Sequence, residues 1–252
     1  MLSKAKIKLI QSLDQKKKRR EERLFVAEGP KVVGDLMPYF PCRLIVAEPT
    51  WLAAHPEVRA TEIIEATSDE LRKASFLKTP QEVLALFELP NYATPHDVAS
   101  QELCLALDDV QDPGNLGTII RVADWFGIRH IFCSIGTTDA FSPKTVQATM
   151  GAIARVQIHH VDLYNFLLET KQQNPSTPLY GTFLEGKNIY QEPLTSHGII
   201  IMGNEGNGIG QQLKELVSHK LFIPNYPEGS ATSESLNVAI ATAITCAEFR
   251  RR

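Results

Sequence analysis

Apolar and polar positions along the chain recur in two periods, and each change of period marks an element. Residues 3–13 place Ile7, Ile10 and Leu13 at helical spacing, which predicts a short amphipathic helix. The apolar run LFVAEG predicts a strand, and Gly29-Pro30 then opens a helix over KVVGDLM, proline being suited to a first helical turn. CRLIVAE reads as a second strand, with a helix or turn near TWLAAHP. TEIIEATSDELRKAS predicts a strand and then a helix capped by Ser68 or Asp69, and VLALFELP closes this part of the chain with another strand. The alternation over residues 1–90 predicts a small α/β domain.

Residues 90–101, PNYATPHDVASQ, carry two prolines and no hydrophobic period, so they read as a linker. Beyond them the strands become continuous apolar runs, as expected where both faces of a parallel sheet are covered. LCLALDD, HIFCSI, RVQIHH, PLYGTFL, GIIIMG and KLFIPN are the strands. GNLGTIIRVADWFGI, SPKTVQATMGA, LYNFLLETKQQ, QQLKELV and SLNVAIATAITCAEFRR are the helices between and after them. Strands alternating with helices predict a mostly parallel sheet wound on both sides, with ligands bound beyond the carboxyl ends of the strands. The organisation expected is an α/β domain at 1–92, a linker at 93–101 and a parallel-sheet domain at 102–252.

Composition narrows the class. With 252 residues, 43% hydrophobic and 22% charged, the chain is an ordinary globular protein rather than a fibrous or disordered one. No apolar run approaches the ~20 residues that cross a bilayer, and the start lacks an uninterrupted signal-peptide core, so a cytoplasmic location is expected. Cys42, Cys104, Cys133 and Cys246 are far apart and form no C-x-x-C pair, and the seven His residues, His159-His160 included, have no metal-ligand spacing. No metal is expected. The net charge of −3 speaks against a uniformly basic nucleic-acid binder, but its distribution reverses that reading. Residues 1–31 hold ten basic and four acidic side chains, a formal +6 that leaves −9 for the rest of the chain. The run Lys16, Lys17, Lys18, Arg19 and Arg20, read as a charged turn after the first helix, is either a solvated surface or a contact for a phosphate backbone.

Three polar clusters sit where strands of the second region end. In DDVQDPGNLGTIIR a strand ends in Asp108 and Asp109, a Pro-Gly turn follows, and Asn115 stands at the start of a helix that carries Arg121. Asn115 either caps that helix or faces a ligand. The two residues share a helical face only if Asn115 precedes the helix proper, because six residues are about 240° apart modulo a turn. In IIIMGNEGNGIG four glycines follow a buried strand without the spacing of a P-loop or a dinucleotide fingerprint. Its Glu205 favours a positively charged ligand or is a plain turn acid. In FIPNYPEGSATSESLNVAIATAI a strand, a Gly/Ser-rich loop and a helix beginning near Ser235 bring Ser233, Glu234, Ser235 and Asn237 together, as helix caps or as site residues.

In combination these motifs resemble the SpoU (TrmH-like) family of RNA ribose 2′-O-methyltransferases, within the SPOUT class. The resemblance rests on D-P-G-N-L-G-T-I-I-R with Asn115 and Arg121, F-S-P-K-T at 141–145, M-G-N-E-G-N-G with Glu205, and S-L-N-V-A-I-A with Ser235 and Asn237. Less specifically, LFVAEGPKVV resembles the family's L30e-like substrate-binding domain. The resemblance implies a C-terminal domain with a deep trefoil knot, a homodimer, and S-adenosyl-L-methionine (AdoMet) as cofactor. It implies AdoMet contacts at Thr182, Leu184, Gly203, Asn204, Gly208, Ile223 and Leu236, and a catalytic group of Asn115, Arg121, Glu205, Ser235 and Asn237. The loop at 225–234 is longer than is usual in the family. Methyl transfer to a ribose hydroxyl of structured RNA is the activity implied, 23S rRNA slightly ahead of tRNA, with Lys16–Arg20 as phosphate contacts. A non-catalytic RNA-binding or ribosome-assembly protein that retains the fold is the alternative, and a nucleotide-dependent oxidoreductase is disfavoured by the missing fingerprint.

Overall fold

A computed structural model describes residues 1–227, 230–233 and 235–251. The chain divides into two compact units, Met1–Asn91 with Asp139–Arg155, and Tyr92–Thr138 with Val156–Arg252. Residues 139–155, which the sequence places inside the 102–252 region, thus belong to the first unit.

The first unit is built on a four-stranded mixed sheet of β1 (Leu24–Glu28), β2 (Cys42–Ala47), β3 (Glu62–Glu65) and β4 (Val83–Glu88), in the order β1-β4-β2-β3. β4 is antiparallel to both of its neighbours, and β2 and β3 are parallel. α1 (Lys4–Ser12) buries Ile10 in a core with Val26, Leu44, Leu84 and Leu86, to which α5 (Ser68–Ala74) adds Leu71 and Ala74. α3 (Pro30–Leu36) and α4 (Pro49–Ala54) both start on proline. The cap of α5 is Thr67, one residue earlier than expected. Its side chain accepts from the Glu70 amide while Glu70 reaches back to the Thr67 amide, so the pair satisfies two otherwise unpaired donors.

The basic run is a helix, not a turn: α2 spans Lys16–Glu22. Ion pairs from Glu21 to Lys17 and Lys18 span one helical turn. The decisive residue is Arg19, which is only 2% exposed. Its Nη1 donates to the carbonyls of Leu13 and Asp14 at 2.6 and 2.7 Å, and its Nη2 to Asp139 Oδ2 at 2.7 Å. Arg19 therefore closes the α1–α2 corner and fastens residues 139–155 to it. The aromatic ring of Phe141 lies 5.0 Å from that of Phe25, and α7 (Pro143–Thr149), capped by Ser142, packs against β1.

The second unit carries six parallel strands: β5 (Leu103–Leu107), β6 (His130–Cys133), β7 (Gln157–His160), β8 (Leu179–Asn188), β9 (Gly198–Met202) and β10 (His219–Phe222). Their order is β10-β8-β9-β5-β6-β7, and all five pairings are parallel. The residues of β5 and β9 are buried throughout, the pattern of strands covered on both faces. α8 (Leu163–Gln173) and α9 (Gln211–Leu216) pack Phe166, Leu167 and Leu213 on Phe132 and Ile201, while α10 (Val238–Arg251) lies along α6 (Pro113–Trp125). Arg250 Nε donates to the Phe126 carbonyl at 2.8 Å, tying the end of α10 to the end of α6. Not all of residues 93–101 are linker. Val98–Ser100 forms a short 3-10 turn against β5 and β9, and Ala99 is buried there.

Candidate active site

The chain leaves β5 for one side of the sheet and returns along β9 from the other, so the two central strands flank a topological switch point. Beyond the end of β5, Asp109 adopts a left-handed φ of 54°. Ser134 holds it there, accepting from the Asp109 amide at 2.9 Å and donating to its Oδ1 at 2.6 Å. Asp108 accepts from the Gly210 amide at 2.7 Å, which fastens β5 to the far end of the glycine loop. Burial pushes the Asp108 carboxyl above its ordinary range, while that hydrogen bond pulls the other way. Both acids thus fasten the end of β5 to its surroundings.

The glycine loop after β9 closes on itself. Asn204 and Gly208 exchange two backbone hydrogen bonds, at 3.0 and 2.9 Å. The Asn204 side chain accepts from the amides of Gly206 and Asn207 and donates to the Asp109 carbonyl at 2.8 Å. Asn204, expected among the cofactor contacts, thus shapes the loop with its side chain and both main-chain groups. Two glycines are required here. A Cβ on Gly203 would lie 2.2 Å from the carbonyl carbon of Gly208, and Gly208 has φ +65°.

The cap of α6 is Asp112, whose Oδ1 accepts from the Asn115 amide at 2.8 Å, with Pro113 in the first turn. This leaves the Asn115 side chain free for other partners. Its Nδ2 donates to Glu205 Oε1 at 2.7 Å, and its Oδ1 accepts from Asn237 Nδ2 at 3.0 Å. Asn237 Oδ1 in turn accepts from the amides of Ala239 and Ile240, so Asn237 is the cap of α10. The polarity of the chain follows from that cap. Once the Asn237 oxygen is committed to amide donors, its NH2 must face the Asn115 oxygen, and the Asn115 NH2 must face a carboxylate. Three of the five candidate catalytic residues, drawn from three separate elements, are thereby joined.

The other two are not joined to them by hydrogen bonds. Ser235 stands ahead of α10, which begins at Val238 and not near Ser235 as expected, and it is exposed. Arg121 lies on the exposed side of α6 and makes no hydrogen bond or ion pair with any described residue. Because Asn115 is inside α6 rather than ahead of it, the condition for sharing a face with Arg121 is not met. Glu234 of the same cluster lies outside the described residues.

Of the expected cofactor contacts, Thr182 is half-buried on β8 with its hydroxyl 3.6 Å from Met202 Sδ, and Ile223 is half-buried just beyond β10. Leu184 is 69% exposed and Leu236 47%. The hydrogen-bonding roles that sequence reasoning misses are those of Asp112, Ser134 and Gly210. The Asp-Pro pair at 112–113 is a recognisable helix start, whereas the other two depend on strands distant in sequence. No cluster of three or more metal-ligating side chains occurs among the described residues. Burial pushes the thiols of Cys104 and Cys246 up to about 12, which removes them as nucleophiles.

A parallel sheet with a glycine loop at its switch point, and asparagine and glutamate side chains gathered beside it, place a candidate site where α/β folds bind ligands, without a dinucleotide fingerprint. Residues 102–247 match the SpoU rRNA methylase family, and residues 4–85 match the MRM3-like substrate-binding domain. The chain belongs to the SpoU family and is an RNA methyltransferase. It is 31% identical over 97% of its length to the 23S rRNA (guanosine(2553)-2′-O)-methyltransferase RlmP of Bacillus subtilis, of which it covers 96%. A solved structure of a TrmH-family protein from Porphyromonas gingivalis superposes with a TM-score of 0.90 at 42% identity, covering 100% of this chain and 99% of the other. The AdoMet-bound rRNA methyltransferase of Sinorhizobium meliloti gives 0.84 at 32% identity over 100% and 97%.

Proposed function

We propose that this protein transfers a methyl group from AdoMet to a ribose 2′-hydroxyl of ribosomal RNA. The observation that carries the reading is the hydrogen-bonded chain Glu205–Asn115–Asn237, in which three motif residues from separate elements meet. Bound AdoMet supplies an electrophilic methyl on a cationic sulfonium. The rest of the task falls to the chain, which must orient a weakly nucleophilic hydroxyl and support the negative charge that grows on its oxygen. Asn115 and Asn237 hold fixed orientations and act as orienting groups, with Glu205 and Ser235 shaping the acceptor and cofactor sides. Arg121 is a permanent cation with no partner among the described residues. It meets the RNA phosphate and the developing alkoxide. A guanidinium is too weak an acid to give up its own proton and serve as the base.

The first unit binds the RNA, as its match to a substrate-binding domain suggests. Among the basic residues of α2, Lys16, Lys17, Lys18 and Arg20 are the phosphate contacts, and Arg19, buried with both Nη atoms bonded inside the protein, is not one. The protein acts as a homodimer. Trp125 on α6, 85% exposed, and Leu236 and Ile240 by α10, 47% and 51%, supply apolar surface for a second copy. The C-terminal domain carries the trefoil knot that the family implies, a reading supported by the strand order β8-β9-β5 and by the packing of α10 on α6. No helix among the described residues is long and apolar enough to cross a membrane, and the RNA reading carries with it a cytoplasmic location.

Labelled AdoMet with unmodified 23S rRNA transcript tests the activity, and mapping of 2′-O-methyl sites identifies the nucleotide. Arg121→Ala is expected to abolish transfer while AdoMet affinity, read by calorimetry, is retained. Near-normal turnover by that variant would remove Arg121 from the mechanism.

A further inference from the structure

The loop that leaves β10 carries a feature the reaction chemistry does not use. Asn225 Nδ2 donates to the Ser230 carbonyl at 2.9 Å and lies 3.2 Å from its hydroxyl, and the Ser230 amide donates to the Pro227 carbonyl at 3.1 Å. These bonds tie Asn225 and Pro227 to Ser230. Prolines at 224 and 227 restrict the backbone on either side of the aromatic residue it carries. That residue is Tyr226, 96% exposed, with no hydrogen bond to any described residue.

Single exposed apolar side chains are common and need no explanation. Tyr226 differs in support and in place. Its ring is open to solvent, and its neighbours Asn225 and Pro227 are both hydrogen-bonded to Ser230, so the backbone that carries it is held when a planar partner covers it. In sequence it lies three residues after Ile223, a cofactor-side position, and the same loop continues to Asn237, which is bonded to Asn115. The loop thus joins the cofactor side of the site to its acceptor side.

We propose that Tyr226 is a stacking platform for an RNA base next to the acceptor nucleotide. This rests on the reading of the protein as an RNA methyltransferase and adds a residue that grips the substrate. Every base has a π-face, so the contact holds the strand without reading its sequence. A tyrosine ring is also well suited to a position that is wet until RNA arrives, because its edge hydroxyl stays solvated while its faces are covered.

The test uses the full chain with Tyr226→Ala, Tyr226→Phe and Tyr226→Trp, a fluorescein-labelled single-stranded RNA 12-mer, and unmodified 23S rRNA transcript. For Tyr226→Ala, affinity for the 12-mer and KM for the transcript are expected to worsen about tenfold, the range for one base–aromatic stack. AdoMet affinity and melting temperature stay at wild-type values, and the loss persists at high salt, where phosphate contacts fade. The Phe and Trp variants bind like wild type. Unchanged RNA affinity in the Ala variant overturns the proposal. So does an equal loss in the Phe variant, which makes the hydroxyl responsible, or a matching loss of AdoMet affinity, which makes the ring a cofactor cover. If the wild-type protein methylates no RNA, the function reading fails, while the 12-mer measurement still decides the stacking.

Discussion

At the scale of single residues, the site depends on which way two side-chain amides point. Asn237 has its oxygen committed to the first turn of α10, and this sets the direction of every donor back to Glu205. Asn115→Asp is nearly isosteric but replaces the Nδ2 donor by an oxygen 2.7 Å from a carboxylate. Two like charges at that distance repel, so transfer is expected to fall about a hundredfold or more, recovering in part at lower pH as the pair takes up a proton. A pH–rate profile identical in shape to wild type would show that the bond to Glu205 has no part in turnover. The identities of Asn115, Glu205 and Asn237 are legible in the sequence through their motifs. Their bonding order is not, because it is fixed by a cap on a helix more than a hundred residues away from Asn115.

At the scale of elements, two buried groups tie strands and helices together and report on pH. The Arg19–Asp139 pair joins α2 to the segment that leads into α7. Arg19→Ala leaves the largely buried Asp139 carboxylate without its cation and is expected to cost about 3 kcal/mol, read as a lower denaturant midpoint. Desolvation raises the Asp139 carboxyl, but the hydrogen bond and charge of Arg19 outweigh it and hold the group below its ordinary value. The folded value lies below the unfolded one, so this stability is present above pH ~4 and is lost on further acidification. His159 on β7 behaves alike in a higher window. Burial and neighbouring His130 depress it to about 4, so a neutral ring favours folding above pH ~6.5, the ordinary histidine value, and the advantage disappears as pH falls toward 4. His159→Phe, which retains a ring beside Phe132 and His130, is expected to flatten the fall in melting temperature between pH 6.5 and 4.5. An unaltered slope would assign that window to other groups.

The helices and strands themselves are readable at this scale, because an amphipathic period and a buried apolar run are local signals. The basic run reads as a turn for a local reason as well. KKKRREE lacks the apolar stripe by which helices are recognised, and α2 is held by one buried arginine and by charge pairs along its surface. Nothing near Arg19 in sequence announces Asp139, which lies 120 positions on.

At the scale of the whole molecule, charge is unevenly divided along the chain. The basic excess lies in the first 31 residues, and the remaining chain, which carries the glycine loop and Glu205, is acidic. Replacing Lys16, Lys17 and Arg20 by glutamate is expected to weaken RNA binding, with AdoMet affinity intact. The slope of log affinity against log salt should become shallower by roughly one for each RNA phosphate that is no longer neutralised. A slope equal to wild type would place the RNA-binding surface elsewhere on the protein.

The sequence by itself determined most of the elements, α2 and the turn at 98–100 excepted, together with the parallel alternation and the motif residues, since backbone propensity and burial period act over a few neighbouring positions. Tertiary structure alone decided that residues 139–155 belong with the first unit, that Arg19 is an internal clasp and not a phosphate contact, and that Glu205, Asn115 and Asn237 form one hydrogen-bonded chain. Each of those outcomes depends on groups far apart in the chain being desolvated together, and only the folded arrangement determines which partner satisfies which charge or amide.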